Sequence, residues 1–564
     1  MEKEESKNKP EAEAKERSFA GVEQLSFRGI LIGGLGAVII TASSMYVALR
    51  MSALPWPTIF VAVLSMALLK VLGKTTLNEI NITQTAMSSG AMVAGGLAFT
   101  LPGLWITGAW ESTEMTAENL IKVLAISMAG VLLGTLLTWL LRTRYIEKEN
   151  LPYPIGTAAA ETIIAGDRGG KKSAVLFGTM GLSCLFTYIR DSLGWIPQAI
   201  VSKWLYARNI FAGIWVSPMA VGIGYLIGVL YTGVWFLGAV LAYLVIIPLG
   251  PALGIFASAD EAVSFKNTLG IGLMVGTGIG IIIKFIIDFI RKIQANRNQK
   301  SNSPDKNEAF SFLKASNKAK LLFILPVVIS FVLSIICGIG VIPSILLILG
   351  TFAASTMAAT LTGQTGINPM EIFGIIVLLA IRIFVNVGTA EAFFIAACVA
   401  IACGYAGDML NDYKTGHILG TNQKAQLISQ TVGGVVGAVV ASVALFAILN
   451  QFGGVGGDTG LSAAQAFAVS QMVNGIENPA VFWAALAIGA LLYLAKVPSM
   501  TLGIGIYLSF ETSLAIVIGG VLRFILDRIR PKSSETGNVA ASGLLGGEGI
   551  TGVVIAIIKM VTGG

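Results

Sequence analysis

Charge is what this sequence has least of. Of 564 residues only 12% are Asp, Glu, Lys or Arg, against about 25% in an ordinary soluble domain, so most of the chain cannot be presenting a solvated surface. Histidine occurs once, at His417, and cysteine four times. Cys184, Cys337, Cys398 and Cys403 stand in apolar segments without CxxC or zinc-ligand spacing, the setting of buried packing thiols. No metal site and no cofactor are therefore expected. HExxH is absent, and the lone histidine has no recognisable serine or cysteine partner, which argues against an intramembrane hydrolase. The chain reads as a non-enzyme. Its start, MEKEESKNKPEAEAKERS, lacks an apolar stretch and reads as a disordered cytoplasmic tail over residues 1–24, not as a signal peptide.

What is present is hydrophobic. Apolar side chains make up 55% of the sequence, and glycine occurs 66 times. Runs long enough to cross a bilayer recur from Phe27 onward, which predicts an all-α polytopic membrane protein of about 16 transmembrane helices. Small residues let such helices approach closely, and glycine also marks interrupted helices. Re-entrant or broken helices are expected at 152–166, 196–208, 408–420 and 462–473. The net charge of +7 comes from loops, as the positive-inside effect requires, so nucleic acid is not an expected partner and the lipid bilayer is. The expected location is the plasma membrane, with the N-terminus cytoplasmic. Residues 291–320 carry eight Lys or Arg against two acids and read as a basic cytoplasmic linker between a first transmembrane repeat (25–290) and a second (321–564). Arg523, Arg528, Arg530 and Lys532 suggest one more cytoplasmic loop, which leaves the side of the C-terminus and the exact span count open.

The two repeats look like copies. VSPMAVGIGYLIGVLYTGVWFLGAVL from Val216 aligns with VPSMTLGIGIYLSFETSLAIVIGGVL from Val497, pairing Gly222 with Gly503, Gly224 with Gly505 and Gly238 with Gly519. GLMVGTGIG from Gly272 matches GLLGGEGIT from Gly543. Duplicated halves are a signature of secondary transporters, whose substrate site lies near mid-membrane between them.

Ionisable and amide groups at membrane depth are costly and mark pathways, pairs or proton carriers. LNEINITQTAMSSG offers Asn78, Glu79, Asn81, Thr83 and Gln84, and LTGQTGINPMEIFG answers with Gln364, Asn368 and Glu371; these read as substrate-lining groups, with helix capping as the alternative. ENLPYPIGTAAAETIIAG holds Tyr153, and Glu161 within a small apolar helix, where it reads as a proton carrier or a structural acid. GDMLNDYKTGHILG places Asp408 and Asp412 four apart, on one face of a regular helix. Two close carboxylates in a dry site cannot both ionise cheaply, which suits proton coupling; a solvated turn is the alternative. Lys414 points elsewhere, to headgroups or a substrate carboxylate. Arg382 and Glu391 read as an ion pair or gate, with Glu391 a further proton-coupling candidate. His417 reads as a structural group.

In order along the chain, NEINITQT, ENLPYPIGTAAAE, the D-x-K-T-G-x-x-L-G pattern of DYKTGHILG and IGIYLSFETSLAIVIGGVLRF resemble the oligopeptide transporter (OPT) superfamily, above all its prokaryotic branch, and more distantly the yellow stripe-like transporters. The resemblance covers about residues 25–560 and implies a duplicated bundle of about sixteen helices. It also implies proton-driven import of small peptides, glutathione-like compounds or metal complexes of amino-acid-derived chelators. By position, Asn78, Asn81, Thr83, Gln84, Tyr153 and Glu161 occupy its first-half motifs, and Asp408, Asp412, Lys414, Thr415 and Gly416 its second-half motif. His417 departs from the pattern, since relatives often carry an aromatic residue there. The expectation is a secondary active importer, a proton-coupled symporter of peptides or peptide-like compounds, with metal–chelate transport as the alternative; sodium in place of protons, the substrate itself and a homo-oligomeric state are left open. Loss of transport is expected for Glu161→Gln and for Asp412→Asn.

Overall fold

The structure is a computed structural model. It describes residues 19, 21–51, 57–167, 171–206, 212–298, 317–365, 368–456, 459–474, 478–530 and 534–562. Most of the expected tail and of the basic linker lies outside the described residues. Helices of nine residues or more are α1 (Phe27–Met51), α2 (Pro57–Val71), α3 (Leu77–Ala98), α4 (Ala117–Arg142), α5 (Pro154–Asp167), α6 (Lys171–Asp191), α7 (Pro218–Ile227), α8 (Val229–Val240), α9 (Ala259–Asn298) and α10 (Asn317–Ile336). They continue with α11 (Val341–Thr365), α12 (Met370–Phe384), α13 (Thr389–Gly404), α14 (Leu410–Leu419), α15 (Gln423–Phe452), α16 (Ala464–Asn474), α17 (Pro479–Leu494), α18 (Ser499–Tyr507), α19 (Phe510–Ile529) and α20 (Ser534–Thr562). A single antiparallel pair, Ala199–Val201 with Gly213–Trp215, is the only sheet among the described residues.

These elements form an all-α membrane architecture, within which length and apolarity single out fewer than sixteen helices as spans. Seven described helices are long and apolar enough to cross a membrane, and four shorter apolar ones accompany them. Residues 408–420, expected as a half-helix, continue α13 through one π turn, Tyr405–Met409, giving a helix from Thr389 to Leu419. Of the expected half-helix 196–208, residues 196–206 are described and hold a strand and one helical turn, whereas 152–166 and 462–473 do form short helices. The helix expected to end at 290 runs on to Asn298, into the linker.

Burial sorts the helices. In the most apolar 18-residue stretches of Leu77–Ile106 and Thr389–Leu419, 89% and 94% of the residues are buried within the protein, against only 33% in that of Val229–Ala252. The first two therefore form the centre, where α3 packs against α1, α13 and α15, and α13 against α4 and α12. A second group of helices, α6 to α9 and α17 to α20, surrounds two broken helices. The first breaks at Gly228, whose φ of +89° separates α7 from α8, and the second at Leu508–Ser509, between α18 and α19. The two broken helices pack reciprocally, α7 on α19 and α8 on α18. The aligned glycines make this approach: a Cβ on Gly224 would collide with the carbonyl of Ile516 and crowd Gly519, and one on Gly505 would collide with Trp235, three residues before Gly238. Any side chain at these four positions would force the backbones apart.

Candidate functional site: a buried polar seam around Asp412

The seam begins with local structure. Thr76 caps α3 by accepting from the Glu79 amide, and Asn422 caps α15 by accepting from the amides of Lys424 and Ala425. Gly420 ends α14 in the left-handed conformation at φ +73°. These caps lay α3 and α15 side by side along the 389–419 helix, so that side chains over 300 residues apart in sequence meet.

At the centre stands Asp412, fully buried. Its Oδ1 accepts from Gln84 Nε2 at 2.8 Å. Gln426 Nε2 donates to the Asp412 carbonyl at 3.0 Å and to Asn81 Oδ1 at 2.8 Å. The Tyr413 hydroxyl donates to Gln430 Oε1 at 3.0 Å, and Ser89 Oγ to the Gln430 carbonyl at 2.9 Å. Asp412 Oδ2, Ser88 Oγ and Gln430 Nε2 are buried without a hydrogen-bond partner. No ion pair reaches Asp412 among the described residues. Such orphans inside a dry seam are costly, and they mark the place where the fold holds polar capacity in reserve.

One turn away, Asn368 Nδ2 donates to Asp408 Oδ2 at 2.8 Å and to the Cys403 carbonyl at 2.9 Å; Asn368 Oδ1 has no partner. Asp408 lies in the π turn Tyr405–Met409, not in a regular α-helix, and each carboxylate takes its own amide, Asn368 for one and Gln84 for the other. On the far side of α14, Asn411 Oδ1 accepts from the Gly156 amide at 3.0 Å, and Thr415 Oγ1 donates to the Gly156 carbonyl at 2.8 Å. A Cβ on Gly156 would collide with the Asn411 carbonyl, which is why α5 can seat its first turn there.

The remaining expected residues fall into two sets. Asn81 and Gln84 reach Asp412, whereas Thr83 turns to α1, donating to the Gly29 carbonyl at 3.2 Å, and Asn78 accepts from Thr421 at 3.1 Å near the N-terminal face. Tyr153 is buried and donates to the Ala359 carbonyl at 2.8 Å. Lys414, expected to meet headgroups, a phosphate or a substrate carboxylate, is 7% exposed and donates to Asn150 Oδ1 at 2.7 Å. Glu371 is buried in the first turn of α12, where the helix dipole favours an acid. The side chain of Gln364 lies outside the described residues.

Two expectations meet a different geometry. Glu161 is exposed, not enclosed by an apolar helix. Arg382 does not pair with Glu391; it donates to the carbonyls of Met472 and Val473 at 3.2 and 2.9 Å, closing the C-terminal end of α16. Glu391, half-buried, sits in the first turn of α13. Glu79 is fully engaged, accepting from Ser26, Arg28 and Thr75. The sequence reading missed Gln426 and Gln430, whose four-residue spacing at the start of an otherwise apolar helix was the available signal. It also missed a second buried cluster: Arg190 Nη2 donates to Glu548 Oε1 at 2.9 Å, and Glu548 Oε2 accepts from Ser217 Oγ at 2.8 Å and the Met219 amide at 2.9 Å.

The model of the OPT oligopeptide transporter protein family matches residues 24–559. The chain belongs to that family. Its similarity to a Haemophilus influenzae protein named "Putative oligopeptide transporter" is 27% identity, covering 92% of this chain and 94% of the relative. It is 24% identical to the Oryza sativa "Probable metal-nicotianamine transporter YSL14", over 96% of this chain and 87% of that one. With the Arabidopsis thaliana "Probable metal-nicotianamine transporter YSL6" it shares 22%, over 73% and 70%. This OPT protein is thus a multi-pass membrane transporter and not an enzyme, as the residues had suggested.

Proposed function

We propose that this OPT protein is a proton-coupled importer of small peptides in the plasma membrane, with its N-terminus in the cytoplasm. The observation that carries the proposal is Asp412: a fully buried carboxylate, bound through one oxygen to Gln84, with the other oxygen unpartnered and no cation beside it. An isolated buried charge is expensive, whereas a protonated carboxyl is an ordinary hydrogen-bonding group. Loading and releasing a proton there would change the seam between α3 and the 389–419 helix, and so the balance between two arrangements of the bundle. The position supports the reading, because Asp412 in the second half is held by Asn81 and Gln84 of the first, the interface at which duplicated transporters place their sites. Asp408, hydrogen-bonded to Asn368, is the second acid of the same path. The neutral amides Asn81, Gln84 and Asn368 suit peptide-bond recognition.

The names of the plant relatives favour a second reading, transport of a metal held by an amino-acid-derived chelator. Both readings share the coupling site, and one experiment separates them. Purified protein is screened by thermal shift against trialanine, glutathione and nickel or iron complexes of a polycarboxylate chelator, since a ligand that binds the folded state raises its stability. Uptake of the hit into proteoliposomes is then followed with an outside-acid gradient. The expected result is gradient-driven accumulation abolished by a protonophore; uptake indifferent to the gradient would sink the coupling.

A further inference from the structure

At the face opposite Arg28 and Glu79, α1 ends in a setting that the transport seam does not explain. A cavity of about 80 Å³ is lined there by Tyr46, Arg50, Asp191, Gln198, Gln451 and Phe452. Arg50 is only 9% exposed. Its guanidinium lies 4.6 Å from the ring centroid of Trp215 and 5.7 Å from those of Tyr46 and Phe452. It donates to the Tyr46 hydroxyl at 2.7 Å, and among the described residues no carboxylate or carbonyl accepts from it. A guanidinium carries five N–H donors, so most of its capacity is unspent.

The nearby acid does not supply what is missing. Asp191 accepts from Arg190 Nε and Nη2 at 2.8 and 2.7 Å, and its Oδ1 also from Gln198 at 3.0 Å. Both of its oxygens are taken. The end of α1 is meanwhile held in place: Ser462 Oγ donates to the Arg50 carbonyl at 2.8 Å and the Ala463 amide to that of Leu49 at 3.0 Å. A planar fork fixed by stacked rings, with free N–H edges on a cavity, is a geometry that matches carboxylate oxygens two at a time. The volume is that of about three water molecules, enough for a carboxylate group and too little for a whole peptide.

We propose that Arg50 and its aromatic cage form a docking subsite for the carboxylate end of an organic solute. The link to transport rests on the importer reading; the binding itself does not. Detergent-purified protein is titrated with trialanine, trialanine amide and inorganic phosphate at constant ionic strength, by calorimetry and by tryptophan fluorescence. Trialanine should bind saturably and perturb the fluorescence, and the perturbation should vanish in Trp215→Phe. Arg50→Gln should weaken trialanine at least tenfold and leave the amide unchanged. Arg50→Lys, which keeps charge but loses the fork, should fall between. Equal affinity of wild type and Arg50→Gln, an amide that binds as tightly as the acid, phosphate competing on equal terms, or no binding of trialanine at all would each overturn the subsite. Intact binding with no gradient-driven uptake would overturn the importer reading alone.

Discussion

Glu548 and Asp412 are both fully buried acids on helices of one bundle, and their surroundings differ in charge. Glu548 meets Arg190, a hydroxyl and a backbone amide at the capped start of α7; each of its oxygens is bonded, and a cation, shared with Asp191, lies beside it. Asp412 meets only amides and a neighbouring hydroxyl without a completed hydrogen bond, and keeps one oxygen in reserve. The glycine alignment sharpens the contrast. Thr277 aligns with Glu548, and there a hydroxyl pair, Thr277 with Ser499 at 2.7 Å, replaces the charged cluster at the start of α18. One broken helix is therefore pinned by an ion pair and its counterpart by a neutral hydrogen bond. An acid bonded to a cation holds structure; one bonded only to neutral groups has the environment that the proposed proton carrier needs.

The contrast breaks most visibly at the ion pair. Glu548→Gln leaves Arg190 paired with Asp191 alone and weakens three hydrogen bonds to a buried charge, each worth about 1.5–3 kcal/mol; thermal unfolding of the detergent-purified variant should show the largest drop of any substitution considered. Gln84→Leu strips the donor from Asp412 Oδ1 and should cost about 1–3 kcal/mol, with coupled uptake falling further than stability does, as paired unfolding and transport assays would show. Glu161→Gln, at an exposed position, should change stability by less than about 0.5 kcal/mol and leave uptake near wild type. That outcome replaces the loss expected from the sequence, because exposure removes the desolvation on which the expectation stood.

How much of this was legible beforehand follows from what is local. Apolar runs and glycine content announce membrane helices, and NEINITQT and DYKTGHILG carry Asn81, Gln84 and Asp412 in plain view. The continuous helix from Thr389 to Leu419 was not visible, since GYAGDM carries the small and polar residues of a break and a π turn absorbs them without one. Arg190 and Glu548 stand 358 residues apart, and nothing in either neighbourhood names the other. Arg50, at the end of a span, has the sequence signature of an interfacial anchor; only the folded loop bearing Trp215 encloses it. At Gly228 and Leu508–Ser509 the chain likewise stays apolar while its helices break, so hydropathy alone does not show the breaks.

The most direct test of the central claim is the pH inside proteoliposomes loaded with a fluorescent pH indicator, followed after addition of the substrate found by thermal shift. Wild-type protein should acidify the lumen as substrate enters, and Asp412→Asn, folded to the same unfolding temperature within a few degrees, should still exchange substrate at equal pH while acidification is lost. Acidification by Asp412→Asn at the wild-type rate would contradict the account.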